Sequence, residues 1–150
     1  MRVRILAAGT RLPRWVNDGY AEYAARMPRS TRLELIEIPL GRGDAATRSE
    51  GERMLERLTD SVHVVALTID GTRRSSEEFA RWWGQRIEGA RELAFLIGGP
   101  QGLSRDCLRR ADESLSLSAL TLPHGLARVV LAEQLYRAST LLAGHPYHRA

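Results

Sequence analysis

The stretch that constrains the fold most is residues 93–104, which read LAFLIGGPQGLS. It begins with the unbroken apolar run of a parallel strand that is covered on both faces. Gly98, Gly99 and Gly102 follow, and residues without a Cβ atom let the chain turn sharply and let a ligand approach the backbone. Ser104 then has the side chain of a helix N-cap. Since open α/β sheets bind ligands at the carboxyl ends of their strands, this unit predicts a ligand site, with a turn that binds nothing as the alternative.

The rest of the chain repeats this alternation of strand and helix. Strand patterns occupy residues 3–8, 33–38 and 62–69, and residues 115–120 are a fifth strand or an extended run. Helices are predicted after Pro13, from a capping box of Thr47 with Glu50, from a second capping box of Ser75 with Glu78, after Ser104, and over residues 125–142. This order predicts a single domain over residues 1–150, an α/β fold with one parallel sheet and helices on both faces.

The composition is that of a globular protein, with 43% hydrophobic and 27% charged residues. No apolar run reaches the length of a membrane span, and the one near the N-terminus is too short for a secretory signal, so we expect a cytoplasmic protein without a membrane partner. The single Cys107 can form neither an internal disulfide nor a zinc site. We therefore expect a buried thiol there rather than a nucleophile, and no metal.

The charge of the chain favours an anionic partner. All 22 basic residues are Arg, and the formal net charge is +4. A codon bias of the organism is a sufficient explanation for the absence of Lys. The net charge remains, and Arg is the side chain that best makes forked contacts with phosphate and stacks on bases.

A second candidate ligand-binding segment is residues 115–124, which read LSLSALTLPH. Strand alternation gives way there to small residues and a proline, so backbone N–H and C=O groups are free to bind an adenine edge or a ribose. His124 lies just before the last helix, where the helix dipole disfavours its protonation, and a structural cap and a catalytic role are equal alternatives for it.

The chain lacks both an early G-x-G-x-x-G and the lysine of a P-loop, which argues against a dinucleotide or a nucleoside triphosphate.

The last predicted helix carries apolar residues around nearly its whole circumference. A helix of this kind must be buried on all sides, and a second copy of the chain is the economical cover for one flank, so we expect a homodimer. Glu133 and Arg137 are four residues apart and are expected to pair.

The tail that follows, residues 145–149, is dense in groups that bind protons and stack on rings, and we expect it to emerge near the glycine turn; an inert tail is the alternative.

Four blocks of the sequence resemble the ribosomal RNA large subunit methyltransferase H family: residues 97–104, 116–124, 128–138 and 145–149. Residues 7–10 and 34–39 agree as well, so the resemblance spans the chain. It implies a SPOUT-class domain with a C-terminal trefoil knot, a homodimer, and methyl transfer from S-adenosylmethionine. The implied acceptor is N3 of a pseudouridine in a 23S rRNA hairpin loop within the assembled ribosome.

The resemblance also implies which residues contact the cofactor. These are Leu67, Gly98 and the segment Leu117, Ser118, Ala119, Leu120, Thr121 and Leu122, to which the geometry of the turn adds Gly102. We expect the tail to perform catalysis, with His148 taking the N3 proton, Arg149 stabilising the developing oxyanion and Tyr147 positioning the base. Arg128, Arg137 and His124 are expected to contact the RNA.

Three alternatives and one departure remain at this stage. The alternatives are a related enzyme that methylates tRNA, a ribosome-binding module without activity, and a dinucleotide-dependent dehydrogenase. The absence of an early G-x-G-x-x-G motif counts against the dehydrogenase. Residues 40–49 form a connection that is shorter and less basic than the Lys-rich loop of the family. Arg42 and Arg48 must therefore contribute more to RNA docking, or the docking differs.

Overall fold

The computed structural model describes residues 1–90 and 92–148, the last of them by its backbone alone. The strands are β1 (Arg2–Ala8), β2 (Leu33–Ile38), β3 (His63–Arg73), β4 (Glu92–Ile97) and β5 (Glu113–Ser116). The helices are α1 (Arg14–Ala24), α2 (Ala46–Leu55), α3 (Ser76–Gly89), α4 (Arg105–Arg110) and α5 (His124–Ala143). Short 3₁₀ turns occur at Arg29–Thr31, Gly43–Ala45 and Pro146–His148.

Across the described residues the strands form one parallel sheet in the order β2-β1-β4-β3-β5. In the centre of the sheet, Ile5 pairs with Leu35 on one side and with Phe95 on the other. The register between β3 and β5 shifts between Leu67 and Thr72, so a short bulge leaves the ladder near the carboxyl end of β3. The predicted parallel α/β sheet is therefore confirmed.

Both faces of the sheet are covered, as the unbroken apolar strands indicate. On one face α1, α3 and α5 pack over alternate strand residues such as Ile5 and Phe95, with Trp83 fully buried among them. On the other face α2 and α4 cover Leu6 and Leu96. Because helices cover both faces, the loops at the carboxyl ends of the strands are where a ligand site can form.

Local signals at three helix starts had different outcomes. Ser75 and Glu78 form the predicted capping box, and the Ser104 hydroxyl accepts from the Cys107 N–H as an N-cap. The capping box predicted for Thr47 and Glu50 is wrong. A 3₁₀ turn leads directly into α2, so Thr47 lies within the helix, and the buried carboxylate of Glu50 instead accepts from the Gly41 N–H at 2.9 Å.

The last helix extends over the predicted range, but the structure changes the reason for its apolar surface. Its flanks contact α1 and α3 of the same chain, and its inner face contacts β4. Leu131, Ala132 and Leu135 are fully buried in this way. Apolarity around the helix therefore does not by itself require a second copy. The homodimer stays a prediction, as does the trefoil knot.

Within the described ranges, no helix combines the length and the apolar character that crossing a bilayer requires.

Candidate functional site

A cavity of about 510 Å³ opens at the carboxyl edge of the sheet, between the loops that follow β3, β4 and β5 and the first turn of α5. Its volume lies within the range of small-molecule sites, roughly 300–1,000 Å³. Of the residues predicted to contact a cofactor, all but Ala119 line it: Leu67, Gly98, Gly102, Leu117, Ser118, Leu120, Thr121 and Leu122. His124 lines it as well. The two segments selected from the sequence thus meet in one site.

The glycine turn after β4 can form only without side chains at two positions. A Cβ atom on Gly98 would lie 2.4 Å from the carbonyl carbon of Gly102, so the two backbones touch directly. Gly102 has φ +81°, in the left-handed region that favours glycine, and its N–H donates to the Gly99 carbonyl at 3.0 Å. The backbone itself therefore forms this wall of the cavity.

The loop after β5 forms the opposite wall and is held by short polar contacts. The Ser116 hydroxyl donates to the Ser118 carbonyl at 3.0 Å, and the Leu120 N–H donates to the Ser118 hydroxyl at 2.9 Å. In the described part of the chain, the N–H groups of Thr121 and Leu122 have no acceptor. These groups are available to a ligand with hydrogen-bonding edges.

The bulge in β3 contributes two residues that the sequence did not indicate, Thr68 and Ile69. The Ile69 side chain is 72% exposed at the rim of the cavity. The bulge lies close to β5, because a Cβ on Gly71 would be 2.7 Å from the Leu115 carbonyl carbon. A pairing irregularity between two strands leaves no mark in the periodicity of either strand, and the sequence reads here as a continuous strand followed by a turn.

His124 is the first residue of α5, and Pro123 occupies the cap position. Burial lowers the pKa of the His124 imidazole below its ordinary value of 6.5, and the nearby Arg128 guanidinium lowers it further. The ring is therefore neutral at pH 7 and can accept a hydrogen bond at the wall of the cavity. The structure is consistent with the predicted contact between His124 and a substrate, which stays a prediction.

Arg128 lies where a phosphate cannot reach it. Its side chain is completely buried, with Nη1 donating to Glu37 Oε2 at 2.6 Å and Nη2 donating to the carbonyls of Gly9 at 2.7 Å and Ala8 at 3.2 Å. The expectation that Arg128 contacts RNA does not agree with this position. Its guanidinium instead joins α5 to the carboxyl ends of β1 and β2, and so holds the first turn of α5 at the cavity.

Tyr147, in the described part of the tail, lies along the outer surface of α5. The Tyr147 hydroxyl donates to Glu133 Oε1 at 3.3 Å, and its ring packs edge-on against Tyr136 with 4.6 Å between centroids. Arg137 makes the predicted pair with Glu133, its Nε donating at 2.8 Å, and its guanidinium lies over the Tyr147 ring. Burial and the Glu133 charge raise the pKa of Tyr147 to about 12.

Tyr147, the predicted catalytic residue whose side chain the structure describes, does not line the cavity of the same chain. Tyr147 contacts residues 133–137, whereas Ala127 is the last residue of α5 that lines the cavity. Nine residues of helix between Ala127 and Tyr136 correspond to about 14 Å along the axis. The side chain of His148 and all of Arg149 lie outside the described residues. Among the residues that are described, no group of three or more His, Cys, Asp or Glu side chains could hold a metal ion.

The chain is similar to known proteins over its whole length. A family model described as "Predicted SPOUT methyltransferase" matches residues 1–148. The ribosomal RNA large subunit methyltransferase H of Alkalilimnicola ehrlichii is 50% identical, with 100% of each chain covered. The protein of the same name from Hahella chejuensis is 48% identical, with 99% of each covered.

Solved structures agree in fold. The crystal structure of a probable methyltransferase from Bordetella pertussis Tohama I superposes with a TM-score of 0.58 at 20% identity, covering 91% of this chain and 93% of that one. The crystal structure of TrmJ from Z. mobilis ZM4 has a TM-score of 0.54 at 20% identity, covering 91% of this chain and 70% of that one.

Proposed function

The chain belongs to the SPOUT methyltransferase family, within which it is a member of the ribosomal RNA large subunit methyltransferase H group, and we propose on this basis that it methylates 23S rRNA with S-adenosylmethionine as the methyl donor. The observation that carries the proposal is the cavity of about 510 Å³ formed by the segments that the resemblance assigns to the cofactor. The acceptor that we propose is N3 of a pseudouridine in a hairpin loop of the assembled large subunit, in the cytoplasm.

The residues around the cavity fit S-adenosylmethionine. Thr121 and Leu122, whose N–H groups have no acceptor among the described residues, would suit the hydrogen-bonding edge of an adenine ring, and Leu67 and Leu117 would offer apolar contact to its faces. Gly98 and Gly102 both line the cavity, so backbone rather than side chains would border the polar chain of the cofactor. When bound, S-adenosylmethionine supplies a methyl group on a positively charged sulfur.

The contribution of the protein is mainly alignment of the acceptor nitrogen with that methyl group, since well-oriented reactants gain effective molarities of order 10⁵ M or more. N3 of a pseudouridine is a weakly acidic imide, so removal of its proton assists the transfer. Tyr147 keeps its proton at neutral pH, because its pKa is raised to about 12. Within the chain its hydroxyl donates to Glu133, and we propose that Tyr147 positions the base, with His148 as the proton acceptor and Arg149 as the stabiliser of the oxyanion.

The separation of Tyr147 from the cavity of its own chain supports a homodimer in which each tail approaches the cavity of its partner. Trp15 adds to this support, because its side chain is 59% exposed on α1, a helix that contacts α5. Aromatic residues, tryptophan among them, are enriched at protein–protein interfaces relative to the rest of the surface. Arg137 in such a dimer lies near the substrate through its contact with Tyr147.

The activity is tested by calorimetry with S-adenosylmethionine and by mass spectrometry of rRNA treated with the purified protein. We expect saturable binding, and methylation of one pseudouridine of 23S rRNA in assembled ribosomes. A methylated tRNA with unmodified 23S rRNA would assign the chain to the tRNA alternative. Absence of cofactor binding would instead favour a ribosome-binding module without activity.

The role of the tail is tested by mixing two inactive variants. We expect His148→Ala to abolish methylation and to retain cofactor binding, and a variant defective in the cavity to lose both. A heterodimer of the two contains one intact tail and one intact cavity, and it regains activity only if they act across the interface.

A single species of 16.8 kDa in sedimentation would overturn the dimer.

A further inference from the structure

The loops at the carboxyl edge of the sheet share a feature that the cofactor site does not use. The loop after β1 carries Arg11, the loop after β2 carries Arg42, β3 ends on Arg73, and α4 begins with Arg105 after the glycine turn. All four side chains are exposed. The loop after β5, by contrast, has no charged residue from Leu117 to Pro123 and forms the apolar wall of the cavity.

No residue that the structure describes pairs with these four arginines in a way that would account for their position. In the part of the chain that the structure describes, none of the four forms an ion pair. At the opposite edge of the sheet Arg2 is held between Glu34 and Glu92, and Arg110 contacts Asp112. The positive charge at the carboxyl edge is therefore available to an anion from outside the chain.

The sheet topology arranges the four residues in a line. Because the strand order is β2-β1-β4-β3-β5, the spatial order of the side chains is Arg42, Arg11, Arg105 and Arg73, with the cavity at the β3 end. Adjacent strands lie about 4.8 Å apart, so the four strands span about 14 Å before side-chain reach is added. Several successive phosphates of one RNA strand fit this length.

Three exposed carboxylates lie near these arginines: Asp44 in the loop after β2, Asp70 in the last part of β3, and Asp106 in α4, where it pairs with Arg109. They reduce the local charge but leave it positive. Guanidinium groups are suited to phosphate through forked hydrogen bonds, and such contacts orient an RNA without reading its sequence. A row of this kind beside a methyl-donor site would position a strand so that one of its bases reaches the cavity.

We propose that Arg42, Arg11, Arg105 and Arg73 form a phosphate-binding row that guides one strand of the rRNA substrate across the carboxyl edge of the sheet to the cavity. The inference rests on the proposed function, since it assumes that the substrate is RNA. It deepens that function by naming the direction of the strand, perpendicular to the β-strands, and the four loops that contact its backbone.

The test compares two variants with the same change in net charge. The row variant combines Arg11→Gln, Arg42→Gln and Arg105→Gln. The control variant combines Arg29→Gln, Arg32→Gln and Arg57→Gln, three exposed arginines outside the carboxyl-edge loops that also form no ion pair among the described residues. Binding to ribosomes with unmethylated 23S rRNA is measured at a series of potassium chloride concentrations, and S-adenosylmethionine binding is measured by calorimetry for each protein.

We expect the row variant to lose about 2 from the slope of log affinity against log salt, since each contact with single-stranded RNA contributes about 0.7. The control variant is expected to keep the wild-type slope, and both are expected to bind the cofactor as the wild type does. Equal slopes for the two variants would overturn the row while leaving the proposed function intact. A wild-type protein that binds cofactor but neither binds nor methylates ribosomes would overturn both.

Discussion

Gly98 and Arg128 show two ways in which single residues shape this site. Gly98 acts through the absence of a side chain, which lets the turn after β4 close on Gly102. Arg128 acts through a side chain that never reaches the ligand, because its guanidinium is used by Glu37 and two backbone carbonyls. The role of Gly98 could be recognised from the sequence, since three glycines in a short turn indicate a tight bend or a close approach of the backbone. The role of Arg128 could not, because an arginine in a helix is ordinarily a surface residue.

Gly98→Ala is expected to impair the cavity without unfolding the protein. The new Cβ would lie 2.4 Å from the Gly102 carbonyl carbon, so the turn must shift. If this shift costs the bound state about 1–3 kcal/mol, cofactor affinity measured by calorimetry falls by about 5-fold to about 150-fold. Gly89→Ala, where a Cβ meets nothing within 4 Å, is the control. Wild-type affinity in Gly98→Ala would contradict the assignment of this turn to the site.

At the scale of single elements, helix starts depend on context that a motif does not contain. Both Thr47-x-x-Glu50 and Ser75-x-x-Glu78 have the spacing of a capping box, but only the second forms one. A 3₁₀ turn over Gly43–Ala45 begins the helix earlier than the motif suggests, and Glu50 is drawn to the backbone of Gly41. Tertiary contacts thus decided between two equivalent local signals.

Two alanine substitutions test this difference. Ser75→Ala removes the hydroxyl that accepts from the Glu78 N–H, and we expect it to lower the free energy of unfolding by about 1 kcal/mol. Thr47→Ala removes no cap, and alanine has the higher helix propensity, so a change within about 0.5 kcal/mol is expected. Urea unfolding at pH 7 measures both. A larger loss from Thr47→Ala than from Ser75→Ala would contradict the structure.

The attachment of α5 to the sheet is tested at Arg128. Arg128→Met leaves Glu37 and the carbonyls of Ala8 and Gly9 without their donor. Loss of one partner from a buried ion pair costs about 3–5 kcal/mol, and we expect about 3 because the Glu37 side chain is partly exposed. Arg14→Met, whose pair with Asp18 is exposed, should change stability by less than about 1 kcal/mol.

At the scale of the whole molecule, one carboxylate joins three elements far apart in sequence. Glu113 at the start of β5 accepts from His63 Nε2 at 2.6 Å and from Trp82 Nε1 at 2.8 Å, and Arg86 lies nearby. Burial of Glu113 favours its neutral form. The hydrogen bonds from His63 and Trp82 and the charge of Arg86 outweigh burial, and together they lower the pKa of the Glu113 carboxyl.

Glu113 should therefore make stability depend on pH in the acid range. A carboxyl whose pKa is lower in the folded protein contributes stability above its unfolded pKa, about 4.3, and loses it as pH falls through the folded value. We expect Glu113→Gln to be least stable relative to the wild type above about pH 5, and the difference to decrease on acidification. Unfolding in urea at several pH values measures it. Glu88→Gln, an exposed carboxylate on the same helix as Trp82, should show no such convergence.

Four features could be predicted from the amino-acid sequence: the alternation of strands and helices, the glycine turn, the capping box at Ser75 and the two segments that form the cavity. Each depends on the spacing of residues close along the chain, and the physical preferences of such spacings are local. Three features are visible only in the tertiary structure: the bulge that brings Thr68 and Ile69 to the rim of the cavity, the burial of Arg128, and the position of Tyr147 on α5 away from the cavity. Each of these depends on contacts between elements distant in sequence, which leave no periodic trace. The opening stretch, residues 93–104, spans both: its strand and turn follow from local sequence, and its partners in the cavity only from the order of the sheet.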